Sequence, residues 1–147
     1  MFTEGHAGEA LRLFVIDDSA AIRRKIGSLL FEMKNVEIVG ESGRPDGAIE
    51  ALKRLKPDVV TLDIRMPCGS GIDLIAPIKQ ALAGVVIIML TNFPYHRYRQ
   101  ICGERGADYF LDKSTELPRL AQILETLGQA PDRPARPSSG GQVKIRP

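Results

Sequence analysis

At 147 residues, 44% of them apolar and 26% charged, the chain has the length and composition of one globular domain. Its net charge of +2 is unevenly spread: Arg133, Arg136, Lys144 and Arg146 against Asp132 give residues 128 to 147 a charge of +3, and the preceding 127 residues carry −1. That balance excludes a basic nucleic-acid module as the main body, and the longest purely apolar run, 85 to 90, is far below the roughly 18 residues of a membrane span.

Glu4 and Glu9, with no basic stretch leading into an apolar one, argue against a secretory leader, so the expected address is the cytoplasm. Cys68 and Cys102 lack CxxC spacing and lie in different segments, so neither a thiolate metal site nor a disulfide is expected. Residues 1 to 10 read as a flexible N-terminal segment. The Pro-, Gly- and Ser-rich tail, 128 to 147, has too few apolar residues to offset its ordering entropy and reads as disordered.

Between these ends, short apolar runs alternate with amphipathic helices. A first strand, about 11 to 17, ends in Asp17-Asp18, and Ser19 is placed to cap a helix carrying Ile22, Ile26, Leu29, Leu30 and Met33 at helical spacing. A second strand is expected over 36 to 39, then a helix with Ala48, Leu52 and Leu55 inside, stopped by Pro57-Asp58. The run 59 to 62 leads to Asp63 and a loop punctuated by Gly69-Ser70-Gly71. The third helix carries Ile72, Ile75, Ile78 and Leu82, with Pro77 removing one of its hydrogen bonds and expected to loosen or kink its first turns. A fourth strand, 85 to 90, runs into Thr91. A helix from about 95 to 105 follows, with Tyr98, Ile101 and Cys102 on one face, and Gly106 as its stop. The last strand, 108 to 111, meets Asp112-Lys113, and a fifth helix carries Leu117, Leu120, Ala121, Leu124 and Leu127. This pattern predicts an α/β fold of the doubly wound kind, a five-stranded parallel sheet with five helices over both faces.

In such sheets ligands bind beyond the carboxyl ends of the strands, where Asp17, Asp18, Asp63, Thr91 and Lys113 all fall. Neighbouring carboxylates repel unless a cation, a proton or a lysine intervenes. An all-oxygen set of Asp17, Asp18, Asp63 and one loop carbonyl, assigned to Arg65, suits Mg²⁺, which keeps several waters besides. A carboxylate is also a nucleophile toward phosphorus. Charge on a transferring phosphoryl group needs a cation and a hydrogen-bond donor, so Asp63 is assigned as nucleophile, Lys113 as cationic partner and Thr91 as phosphoryl-oxygen donor. The bland readings are a turn-forming Asp, a solvated Lys and a capping Thr, and they compete poorly with a coincidence at four strand ends.

The strings Val15-Ile16-Asp17-Asp18-Ser19, Asp63-Ile64-Arg65-Met66-Pro67, Leu90-Thr91 and Leu111-Asp112-Lys113 resemble the receiver domain of two-component response regulators, over about residues 11 to 127. The resemblance implies a flavodoxin-like sheet of order 2-1-3-4-5. It also implies a bacterial phosphorelay in which a histidine kinase or histidine phosphotransfer protein donates a phosphoryl group to Asp63 with Mg²⁺ bound. Phe110 matches the family's aromatic switch position. Phosphorylation is then expected to draw Thr91 inward, let Phe110 turn inward and change the face made by the fourth helix, last strand and fifth helix, which signals to a downstream protein target.

Several positions depart from the family pattern. Ser114 follows Lys113 where the family commonly has proline, and is expected to cap the fifth helix instead. Asn92 stands where a small residue often follows the Thr, and Arg65 stands two positions after Asp63, where it can shade or attract a phosphoryl group. With no effector module recognised after 127, the expectation is a stand-alone, non-enzymatic receiver without direct DNA binding. The alternatives are a docking-only pseudo-receiver or a small phosphotransferase with an Asp nucleophile.

Overall fold

Each apolar run is flanked by amphipathic helices, so the runs bury both faces by lying side by side as parallel strands. The computed structural model describes residues 9–129, and most of the expected N-terminal segment and tail, 1–8 and 130–147, lies outside them. The strands are β1 (Leu11–Ile16), β2 (Val36–Ser42), β3 (Val59–Asp63), β4 (Val86–Thr91) and β5 (Tyr109–Asp112). The helices are α1 (Ala20–Leu30), α2 (Ala48–Leu55), α3 (Ile72–Ala81), α4 (His96–Arg105) and α5 (Leu117–Gln129). The five strands form one parallel sheet of order β2-β1-β3-β4-β5, as the resemblance implied.

Alternate strand residues feed two cores. Leu11, Leu13 and Val15 of β1 join Ile26 and Leu30 of α1 and Leu117, Leu120 and Leu124 of α5 on one face. Phe14 and Ile16 join Leu52 of α2, Ile75 and Ile78 of α3 and Cys102 of α4 on the other. Burial of each such aliphatic side chain stabilises the fold by roughly 1.5–3 kcal/mol. Register aligns the carboxyl ends: Ile16 lies beside Leu62, Asp63 beside Leu90, and Thr91 beside Asp112. Ser19 caps α1 as expected, its Oγ accepting the Ile22 N–H at 3.1 Å. No helix among the described residues is long and apolar enough to cross a membrane.

Four local features differ from the sequence reading. β2 continues to Ser42 rather than ending near 39. It is an edge strand whose Glu37 and Glu41 are exposed, and a Cβ on Gly40 would come within 2.6 Å of the Phe14 ring where the β1–β2 register slips. The stretch after Asp63 is not a plain loop: Arg65–Met66 pairs antiparallel with Gly69–Ser70 in a small hairpin. Ser114 does not cap α5. Its hydroxyl and N–H donate to Oδ1 of Asp112 at 2.7 and 2.9 Å, and the helix starts at Leu117 with Pro118 in its first turn. The Asp112 carboxylate, two residues back, takes both Ser114 donors in a local turn and holds the residue short of the helix end. α3 runs unbroken through the exposed Pro77.

Candidate functional site

The strand ends bring an acidic cluster together. Asp17 directly follows β1, its N–H donating to the Ser42 carbonyl at 2.9 Å and its Oδ1 accepting the Ser19 N–H at 2.9 Å. With the pleat ended by that turn, Asp18 joins the same cluster from an exposed position. Asp63 closes β3 and is only 4% exposed. Carboxylate oxygens of Asp17, Asp18 and Asp63 all lie within 4.8 Å of one another. A hard cation with ligands at roughly 2.0–2.1 Å separates them by about 3 to 4 Å, so this donor set fits one with little adjustment.

Lys113, the residue after β5, is buried and turns its Nζ into the cluster, 2.8 Å from Oδ2 of Asp17 and 3.2 Å from Oδ1 of Asp63. Its backbone N–H donates to the Thr91 carbonyl at 2.9 Å, which pins the end of β5 to β4. Burial pushes the Asp63 carboxyl up from 3.8 to about 7; Asp17 adds to the rise and Lys113 opposes it. Asp63 is thus a carboxylate held in a site that favours its neutral form until a further positive charge arrives.

Thr91 ends β4, fully buried, and its Oγ accepts the Phe93 N–H at 2.8 Å. A hydroxyl that accepts once still has its own proton to donate. Phe110 is also fully buried, with the Arg99 guanidinium 4.6 Å from its ring centroid, so the ring expected to turn inward on phosphorylation is already inside in this structure. Asp112 points elsewhere: Ser114 holds its carboxyl below the usual range. Arg65, whose carbonyl was assigned to the cation, opens the hairpin, and its exposed side chain stacks over the Phe93 ring.

Two contributors escaped the sequence reading. Arg23 donates from Nη1 to the Asp17 carbonyl at 2.6 Å and from Nε to Glu41 at 3.1 Å, tying the acidic turn to β2. Gly71 packs against the other side of Asp63: its N–H donates to the Ile64 carbonyl at 2.8 Å, and a Cβ there would fall 1.8 Å from the Asp63 carbonyl oxygen. The Gly69-Ser70-Gly71 punctuation was visible, but not which glycine has no room for a side chain.

Comparison with known proteins agrees with this architecture. Residues 13–125 match the family described as the response regulator receiver domain. A protein-glutamate methylesterase/protein-glutamine glutaminase of Clostridium acetobutylicum is 31% identical over 81% of this chain, which covers 35% of that protein. The response regulator protein VraR of Staphylococcus epidermidis is 30% identical over 78% of this chain and 55% of its own length. The chain therefore spans about a third and about half of these two relatives. Among solved structures, the BeF3-activated N-terminal receiver domain of Klebsiella pneumoniae RstA is 26% identical with a TM-score of 0.72, over 81% of this chain and 99% of that one. On its sheet order, the acidic cluster at its strand ends and this match over 113 consecutive residues, the chain belongs to the response regulator receiver domain family.

Proposed function

We propose that this receiver accepts a phosphoryl group on Asp63 from a phosphohistidine of a kinase or phosphotransfer protein. The observation that carries the reading is the nearly buried Asp63 carboxylate with the Lys113 ammonium 3.2 Å away and two further carboxylates beside it. In the transfer, the phosphorus–nitrogen bond breaks, an Oδ–phosphorus bond forms, and the leaving imidazole keeps the electron pair and takes up a proton. Lys113 balances charge on the incoming oxygens, and Thr91 supplies its remaining hydroxyl donor. Asp17, Asp18, Asp63 and the Arg65 carbonyl are the residues that would hold Mg²⁺. When bound, the ion neutralises phosphoryl charge and orients the group in line with Asp63.

The acylphosphate then shifts the population between two packings of the face built from α4, β5 and α5, and a downstream protein partner reads the result. The proposal includes a cytoplasmic signalling role in which the only chemistry of this domain is its own phosphorylation and dephosphorylation. BeF3 activation of the related RstA receiver supports the phosphoryl-binding reading.

The test is intact-protein mass after exposure to acetyl phosphate, with and without Mg²⁺, beside an Asp63→Asn variant. A Mg²⁺-dependent gain of one phosphoryl group, absent in the variant, is the expected result. Labelling that persists in Asp63→Asn overturns the assignment, and absence of labelling from both acetyl phosphate and a panel of phosphorylated kinases favours the docking-only alternative.

A further inference from the structure

α4 is weakly anchored by its own core: of its ten residues, His96–Arg105, only Cys102 is buried. Arginine–aromatic contacts take up what apolar packing leaves undone. From the acceptor side, the Arg65 guanidinium stacks 4.0 Å above the Phe93 centroid and donates to the Tyr98 hydroxyl at 3.2 Å. Phe93, Tyr95 and Tyr98 continue as a run of tilted rings with centroids 6.0 and 5.5 Å apart. From the far side, Arg99, next to Tyr98 on the same helix, lies 4.6 Å over the buried Phe110 ring.

We propose that Arg65 is a phosphoryl-responsive tie, a positioning residue that links the Asp63 loop through Tyr98 and Arg99 to Phe110, in parallel with the contacts of Thr91. This deepens the phosphoacceptor reading and rests on it. Arg65 is two residues beyond Asp63, and Phe93 is two beyond Thr91. The stack therefore bridges the mouth between the adjacent ends of β3 and β4. A phosphoryl dianion arriving on Asp63 offers the guanidinium an anionic, bidentate acceptor, which it prefers to its single hydrogen bond to the uncharged Tyr98 hydroxyl. The arginine exchanges partners, Tyr98 loses its donor, and α4 loses its restraint on the acceptor side. No bond is made or broken in this exchange beyond the hydrogen bonds named.

The experiment uses the full chain with ¹³C-labelled tyrosine, beryllofluoride with Mg²⁺ as phosphoryl mimic, and ¹⁹F resonances to report mimic binding. Tyr→Phe variants assign Tyr95, Tyr98 and Tyr109. In wild type, the mimic is expected to move the Tyr98 ring resonance to the position it already occupies in unliganded Arg65→Ala, and to speed amide exchange across α4 several-fold. In Arg65→Ala the mimic moves it no further. Tyr98→Phe is expected to bind the mimic as wild type does while showing fast α4 exchange before it is added. A Tyr98 resonance that stays put when the mimic binds, or an undiminished shift in Arg65→Ala, overturns the tie and leaves the phosphoacceptor reading standing. Failure of the mimic to bind wild type at all overturns both.

Discussion

Lys113 reaches from the end of β5 across the neighbouring strand β4 to within 3.2 Å of Oδ1 of Asp63. It also meets Asp17 beyond β3, so one ammonium serves carboxylates on two other strand ends. Removing one partner from a buried ion pair leaves the other uncompensated, typically at several kcal/mol. Lys113→Ala is expected to lower stability by on the order of 3 kcal/mol at pH 8 without divalent cations, and by less at pH 5, where Asp63 is protonated. Urea unfolding at both pH values checks this, and a loss that does not change with pH contradicts it.

Asp63 titrates at about 7 in the folded chain, well above its ordinary value of 3.8. The folded state thus binds more protons than the unfolded state between about pH 4 and pH 7, so this group's contribution to stability falls as pH rises through that window. Asp63→Asn removes the dependence. Its Tm relative to wild type, measured without divalent cations, is expected to increase from pH 5 to pH 8, and a difference that shrinks would count against the assignment.

The same proton competes with a cation. Mg²⁺ affinity is expected to rise about tenfold per pH unit below pH 7 and to level off above it, because one carboxyl must lose its proton for the ion to enter. Titration of the Mg²⁺-induced rise in Tm between pH 5.5 and pH 8.5 tests this. A flat profile means that Asp63 is not among the ligands.

Gly71→Ala should be among the most damaging single substitutions in the chain. The added carbon would lie 1.8 Å from the Asp63 carbonyl oxygen, and that neighbour is backbone, which cannot rotate aside. Overpacking of this kind costs about 1–3 kcal/mol or more. Reduced Tm together with weakened Mg²⁺ binding is the expected pair of results; unchanged unfolding would mean that the β3–α3 junction yields freely.

The two thiols should separate cleanly. Cys68 is exposed, whereas Cys102 is buried and burial pushes its thiol up to about 11. At pH 8 the native protein is expected to react with one equivalent of a disulfide reagent and, in urea, with two. Prompt native reaction of Cys102 would show that α4 opens readily.

Much of this molecule is legible from its residue order, and what is not has a common cause. Buried parallel strands are nearly unbroken apolar runs, so β3 and β4 announce themselves and deliver Asp63 and Thr91 to their ends. Ser19 works within one turn and is readable for that reason. β2, at the sheet edge, alternates with glutamates and hides its last residues. Two-residue strands such as Arg65–Met66 carry no period. Ser114 could have accepted from a helix N–H, but it donates to the carboxylate two residues back instead. The grip of Arg23 on the Asp17 carbonyl, six residues back, and the Arg65–Tyr98 bond, spanning 33, are made by long polar side chains whose direction no spacing rule gives.

The close seat of Gly71 behind Asp63 limits how such a site can diverge. That wall of the acid pocket is main chain on both sides of the contact, the Asp63 carbonyl against the first residue before α3. No exchange of side chains can reshape it without moving the helix. Side-chain substitutions that tune the acid pocket are therefore expected at its open front, where Asn92, Phe93 and Arg65 stand, and not at this wall.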